Sequence, residues 1–132
     1  MTRKKAREQA FILIFEKNFS DAEIEEIIAN AIEARDLIND EYALDVFRGV
    51  FSCVDSIDSD IESFLSGWTL SRISKVALAV LRLAIYEIKN VEDVPAAVSI
   101  NEAVDLCKKY SSKEDSAFVN GLLGSLIKAQ GN

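Results

Sequence analysis

The sequence predicts an all-α fold: six or seven helices in two packed small bundles. Three observations predict it. Apolar residues recur at intervals of three and four along almost the whole chain, and no stretch alternates apolar with polar over a strand's length between turn signals. One Pro and five Gly leave few helix breakers in 132 residues. Ser20, Ser99 and Ser112 each stand three residues ahead of an acid, the signature of a capped helix N-terminus.

The elements follow in order. The first helix spans roughly Arg3 to Asn18, with Ala6, Ala10, Leu13 and Ile14 on its core face and Lys4, Arg7, Phe11 and Phe15 on the face beside it. Ser20 and Glu23 form a capping box, so a second helix begins near Asp21 and buries Ile24, Ile27, Ile28, Ala31 and Ile32. Asn39-Asp40 marks a turn and an N-cap. A long third helix runs from about Glu41 to Ser66, with Gly49 inside it for close packing or a bend and Gly67 ending it as a C′ residue. Trp68 to Arg72 is a short connecting turn or helix. Val76 to Ile88 is apolar almost all round, the pattern of a bundle's buried centre. Asp93-Val-Pro95 breaks the chain. A capping box at Ser99 and Glu102 opens a helix to about Tyr110, and Ser112 caps a last helix that runs to about Gln130. The chain divides near residues 66–70, giving an N-terminal helical half of about 1–67 and a C-terminal half of about 68–132 within a single helical domain, 1–132.

Composition sets bounds on function. A chain of this length hides roughly two thirds of its surface on folding. Its 49% apolar residues supply a core and exclude a mainly disordered chain. No apolar run approaches the ~18 residues of a membrane span, and the N-terminus lacks the apolar core of a secretion signal, so the expected location is cytoplasmic. Cys53 and Cys107 sit among apolar neighbours and read as small core residues, not a disulfide or metal pair. With no His, the usual general base and His–metal sites are absent, and there is no phosphate-cradling Gly loop. The expectation is therefore no enzyme, no catalytic residues, no metal and no cofactor. Asp55, Asp58 and Glu62 share a helix face and read as solvated carboxylates. Arg82, inside the most apolar helix, calls for an internal carboxylate such as Glu102 or a stem that reaches solvent. Asn120-Gly121 reads as a packing and hydrogen-bonding pair where another helix comes close.

The charge is unevenly spread over a net of −7. Residues 1–17 carry five bases and two acids, residues 18–66 two bases and 13 acids, and residues 67–132 eight bases and seven acids. A basic tip thus sits on an acidic body. Arg3, Lys4, Lys5 and Arg7 are followed on their helix by Phe11 and Phe15, rings able to stack on bases. A second basic-aromatic group, Lys108, Lys109, Tyr110, Lys113 and Phe118, lies near the other end. If the first and last helices pack together, the two groups form one surface for a nucleic acid. Neutralising ~4 phosphates would give a salt slope near −3 on a single strand.

Three blocks carry a resemblance: RKKAREQAFILIF; VLRLAIYEI followed by VPAAVSINEAVDLCKKY; and EDSAFVNGLLGSL. Together they resemble the NusB family of bacterial transcription antitermination factors, over nearly the whole chain. Residues 18–66 match only in helical pattern. The resemblance implies an all-helical fold of two small bundles and no catalysis. It implies binding to single-stranded boxA-type RNA together with NusE, a small-subunit ribosomal protein, within an RNA polymerase antitermination complex that acts notably on ribosomal RNA operons. It also admits a homodimer through surfaces that would cover the RNA face. Residue by residue, Arg3, Lys4, Lys5 and Arg7 match the family's arginine-rich start, Phe15 matches an aromatic near RNA, and Tyr110, Glu114 and Phe118 match further RNA-side positions. Two of the four bases are Lys, which lacks the bidentate fork. Glu114 replaces a shorter acid. Ala77 stands where relatives often carry an acid that pairs with the ribosomal partner. The alternative reading is a free-standing protein-interaction module without direct RNA binding.

Overall fold

A computed structural model describes residues 2–35 and 40–130, with the backbone only at Arg35. Asn39 of the expected turn lies outside them. The described residues form seven α-helices, one short 3-10 turn and no strand: α1 Arg3–Lys17, α2 Ile24–Arg35, α3 Glu41–Ser52, α4 Val54–Glu62, the 3-10 turn Leu70–Arg72, α5 Lys75–Asn90, α6 Ala96–Tyr110 and α7 Lys113–Gln130.

The most apolar segment becomes the centre. In α5, Ala77 to Leu81, Leu83, Ala84, Ile85 and Glu87 are all buried. This helix packs against α1, α3 and α4 from the N-terminal half and α6 and α7 from the C-terminal half. Buried side chains from both halves join one apolar cluster around it. Ala77 is fully buried, so it offers no surface to a partner. In α1, Ala6, Ala10, Leu13 and Ile14 face the core as the period requires.

Several boundaries differ from the sequence expectation, each for a local reason. Ser20 Oγ accepts from the Ala22 amide at 3.1 Å, closing a tight turn in place of a capping box, so α2 starts later, at Ile24. The long third helix is two helices. Cys53, at φ −132°, breaks the α-helical path between α3 and α4. The second of these ends at Glu62. Gly67 therefore serves the following turn, at φ +77°, and does not close the helix. Pro95 occupies the N-cap of α6, so the helix begins at Ala96 and Ser99 lies buried within it. Asp40 and Ser112 do cap α3 and α7: their side-chain oxygens accept from Ala43 N at 3.0 Å and Asp115 N at 3.1 Å.

The interior polar contacts also sort differently. Arg82 pairs with Asp58, at 2.9 and 2.8 Å, not with Glu102, and Lys89 pairs with Asp60. Of the three carboxylates read as a solvated face, Asp58 instead docks α4 on α5, while Asp55 and Glu62 are exposed. Gly49 is needed for close approach, since a Cβ there would stand 2.2 Å from the Tyr86 ring. Gly121 is not: open space surrounds its Cβ position, and Asn120 is exposed. Cys107 is fully buried, and burial pushes its thiol up to about 11. Cys53 is half-buried, its thiol donating to the Gly49 carbonyl.

Candidate nucleic-acid interface

The basic tip begins at a cap. Thr2 Oγ1 accepts from the Lys5 amide at 3.1 Å, so α1 is wound from Arg3 onward. Helical rotation then sends the four bases in different directions. Arg3, Lys4 and Lys5 are exposed, whereas Arg7 is turned into the core and is 4% exposed. Its Nε donates to both Glu87 carboxylate oxygens at 2.9 Å, and Nη1 reaches Glu102 at 3.4 Å. Glu87 is itself buried and also accepts from the Tyr42 hydroxyl and, at 3.2 Å, from Ser99 Oγ. Arg7 therefore braces α1 against α5 and α6. Its expected place among surface cations is corrected: the carboxylate beneath it takes its donors.

The other bases differ in availability. The Arg3 guanidinium lies over the Tyr42 ring, 3.8 Å from its centroid. Lys4 reaches Glu102 at 3.3 Å and Asp105 at 3.8 Å while 68% of its side chain stays exposed. Lys5, Lys108 and Lys113 are exposed and make no ion pair among the described residues.

The two ends of the chain meet. Lys109 Nζ lies 2.5 Å from Glu8 Oε2, and the Tyr110 hydroxyl donates to the same oxygen at 2.6 Å. These two donors, Lys109 first, hold the Glu8 carboxyl below its ordinary value. The bond to Glu8 pushes both Lys109 and Tyr110 upward. Behind this clasp the Tyr110 ring rests 5.1 Å from Phe11, which lies 6.2 Å from Phe15, which meets Phe19 edge-on at 5.2 Å. Phe11 is buried, so it backs the row and cannot itself take a base. Phe15 is half-buried, Tyr110 is 39% exposed and Phe19 is 65% exposed. A shallow cleft along the row is lined by Phe11, Ile12, Phe15, Glu16, Val76 and Tyr110.

The start of α7 joins this surface from the side. Asp115 accepts from Ser74 Oγ, the cap of α5, at 2.6 Å, and from Ser111 Oγ. That carboxylate ties together the end of α6 and the starts of α5 and α7. Glu114 next to it is exposed, and Phe118 is half-buried with its ring stacked on Trp68. Glu8 and Phe19 do not stand out in the sequence, and Asp115 enters there only as part of the α7 cap. Glu8 carried one signal, an acid in a basic segment, but its partners lie 101 and 102 residues away.

The NusB family model matches residues 4–128. The chain belongs to the NusB family. A transcription antitermination protein NusB from Acetivibrio thermocellus is 50% identical over 132 aligned residues, covering 98% of this chain and 91% of that protein. Among solved structures, T. maritima NusB superposes with a TM-score of 0.85 at 31% identity, over 97% of this chain and 92% of that one. A chain in the crystal structure of antitermination factors NusB and NusE in complex with dsRNA gives 0.86 at 28% identity, covering 96% of each. The NusB fold seen in these structures is the seven-helix arrangement described here. Among the described residues, no helix is long and apolar enough to cross a membrane.

Proposed function

We propose that this NusB-family protein is an antitermination factor that binds single-stranded boxA-type RNA together with NusE, as part of an RNA polymerase antitermination complex. The observation that carries the reading is the meeting of the chain's two ends. Arg3, Lys4 and Lys5 stand at the start of α1, and Phe15 and Tyr110 flank the buried Phe11 farther along it, with Glu114 and Phe118 on α7. Cations would position phosphates, and the partly exposed rings would stack unpaired bases. The solved complex of a NusB with NusE and dsRNA supports RNA and NusE as partners. Half-exposed rings favour an unpaired strand over a duplex, whose bases are already stacked on one another.

In this reading Arg7 positions α1 and leaves phosphate contact to Arg3, Lys4 and Lys5. The acidic body repels RNA, so binding alone is weak and a basic partner strengthens it.

The test is a mobility-shift titration at fixed low salt, using a boxA-like single strand, a scrambled single strand and a duplex, each with and without NusE. The expected order is boxA-like strand with NusE tightest, the same strand alone weaker, and the duplex weakest. Binding of NusE with no shift of any RNA would leave a protein-interaction module instead. Equal affinity for all three RNAs would overturn the boxA assignment.

A further inference from the structure

Trp68 is the chain's sole tryptophan, and no structural task accounts for it. It is 55% exposed and lies outside the apolar cluster and the side chains packed on it. Yet it is held in place. Gly67, at φ +77°, turns the backbone just ahead of it, and its ring stacks on Phe118 at 5.9 Å with the planes 16° apart. Phe118 is packed against the core, so it forms a firm base for the outer ring. The stack covers part of the indole, and 55% of the residue stays exposed.

Arg72 and Lys75 follow Trp68 within seven residues of the chain, and Lys113 precedes Phe118 on α7; all three are exposed and make no ion pair among the described residues. Of the acids beside them, Asp115 is engaged by Ser74 and Ser111, and Glu114 stands in solvent. A chain of contacts links the helix of Phe118 to the ring row of α1. Asp115 binds Ser74, and two residues beyond Ser74, Val76 lines the cleft shared by Phe11, Phe15 and Tyr110.

We infer that Trp68 is a second stacking platform for the RNA strand. Its exposed surface takes a base, while Arg72, Lys75 and Lys113 face the adjoining phosphates. An exposed indole with unpaired cations near it in the chain fits a single-stranded polyanion: the ring accepts any base, and the cations offset the backbone charge. This inference rests on the RNA reading above and extends its footprint from the Tyr110–Phe15 row to the connection between α4 and α5.

The sole tryptophan makes the test direct. Full-length protein is titrated with a fluorescein-labelled single-stranded RNA of twelve nucleotides, followed by anisotropy, and with unlabelled RNA, followed by indole fluorescence. Quenching is expected to saturate at the RNA concentration that saturates anisotropy. Trp68→Ala is expected to weaken binding about 5- to 30-fold, and Trp68→Phe, which keeps a ring, to stay within about threefold. Exposure of the side chain predicts unchanged far-UV helicity in both variants. RNA binding by anisotropy with unquenched indole, and with Trp68→Ala at parental affinity, overturns this inference and leaves the RNA reading standing. Quenching by NusE and not by RNA assigns the patch to a protein and overturns it too. No binding of a boxA-like RNA by either readout, with NusE present as well as absent, overturns both.

Discussion

At the residue scale, Arg7 is the position where charge and role part company. A cation 4% exposed on a carboxylate 1% exposed carries two desolvation penalties, offset by a dense set of hydrogen bonds. Tyr42 donates into the same carboxylate, and burial together with that bond pushes its phenol well above the ordinary tyrosine range. Removing one charge from such a pair leaves the other buried and unpaired. Arg7→Met is therefore expected to cost about 3–5 kcal/mol in urea unfolding, a large part of a typical domain's stability. Arg7→Met combined with Glu87→Met should cost less than Arg7→Met alone, because the orphaned carboxylate is gone. Additive losses in the double variant would show that the ion pair is not the unit of stability.

At the scale of elements, α1 and α6 are clasped by the partly buried Glu8 and the exposed Lys109 and Tyr110, whose protonation sets their hold. Lys109 and Tyr110 donate to Glu8 and lower its pKa in the folded state. A depressed carboxyl contributes stability that is present above its unfolded pKa and is lost as pH falls through the lower folded value. Lys109 and Tyr110 are both raised, so their share is present below their unfolded values and is lost as pH rises through the folded ones. The clasp thus holds across neutral pH and opens at both extremes. Melting Glu8→Gln beside the parent should show a gap near neutrality that closes in acid and in alkali. A gap that is constant with pH would mean that Glu8 acts through packing alone. Most helices of this fold were legible in the sequence because their signals are local. Periodicity in α1 and α5 and the caps at Asp40 and Ser112 need only a few neighbouring residues. What escaped depends on distant partners or competing local geometry. Asp58 reads as a solvated acid in the sequence because Arg82 lies 24 residues on, and Arg7 as a surface cation because Glu87 lies 80 residues away. The α3–α4 break at Cys53 left the apolar spacing undisturbed, so periodicity could not reveal it.

At the scale of the whole molecule, the basic tip serves two ends. One of its four bases pins α1 to the core, and three remain to face an anion on a chain whose net charge is −7. Counting three available phosphate contacts in place of four lowers the tip's share of the salt slope from about −3 to about −2 at ~0.7 per contact on a single strand. Replacing Arg3, Lys4 and Lys5 together by Ala should reduce the magnitude of d log K/d log[salt] by about 2. Arg7→Met, assayed where it remains folded, should leave that slope unchanged, because the buried site contributes no counterion release. A slope reduced by about one contact in Arg7→Met, with helicity intact, would place that side chain at the phosphate and require α1 to rotate on binding. The same titration in the presence of a basic partner separates steering from contact. Neutralising the acidic body should raise affinity most at low salt, where repulsion reaches farthest, while the number of released counterions stays that of the tip and its neighbours.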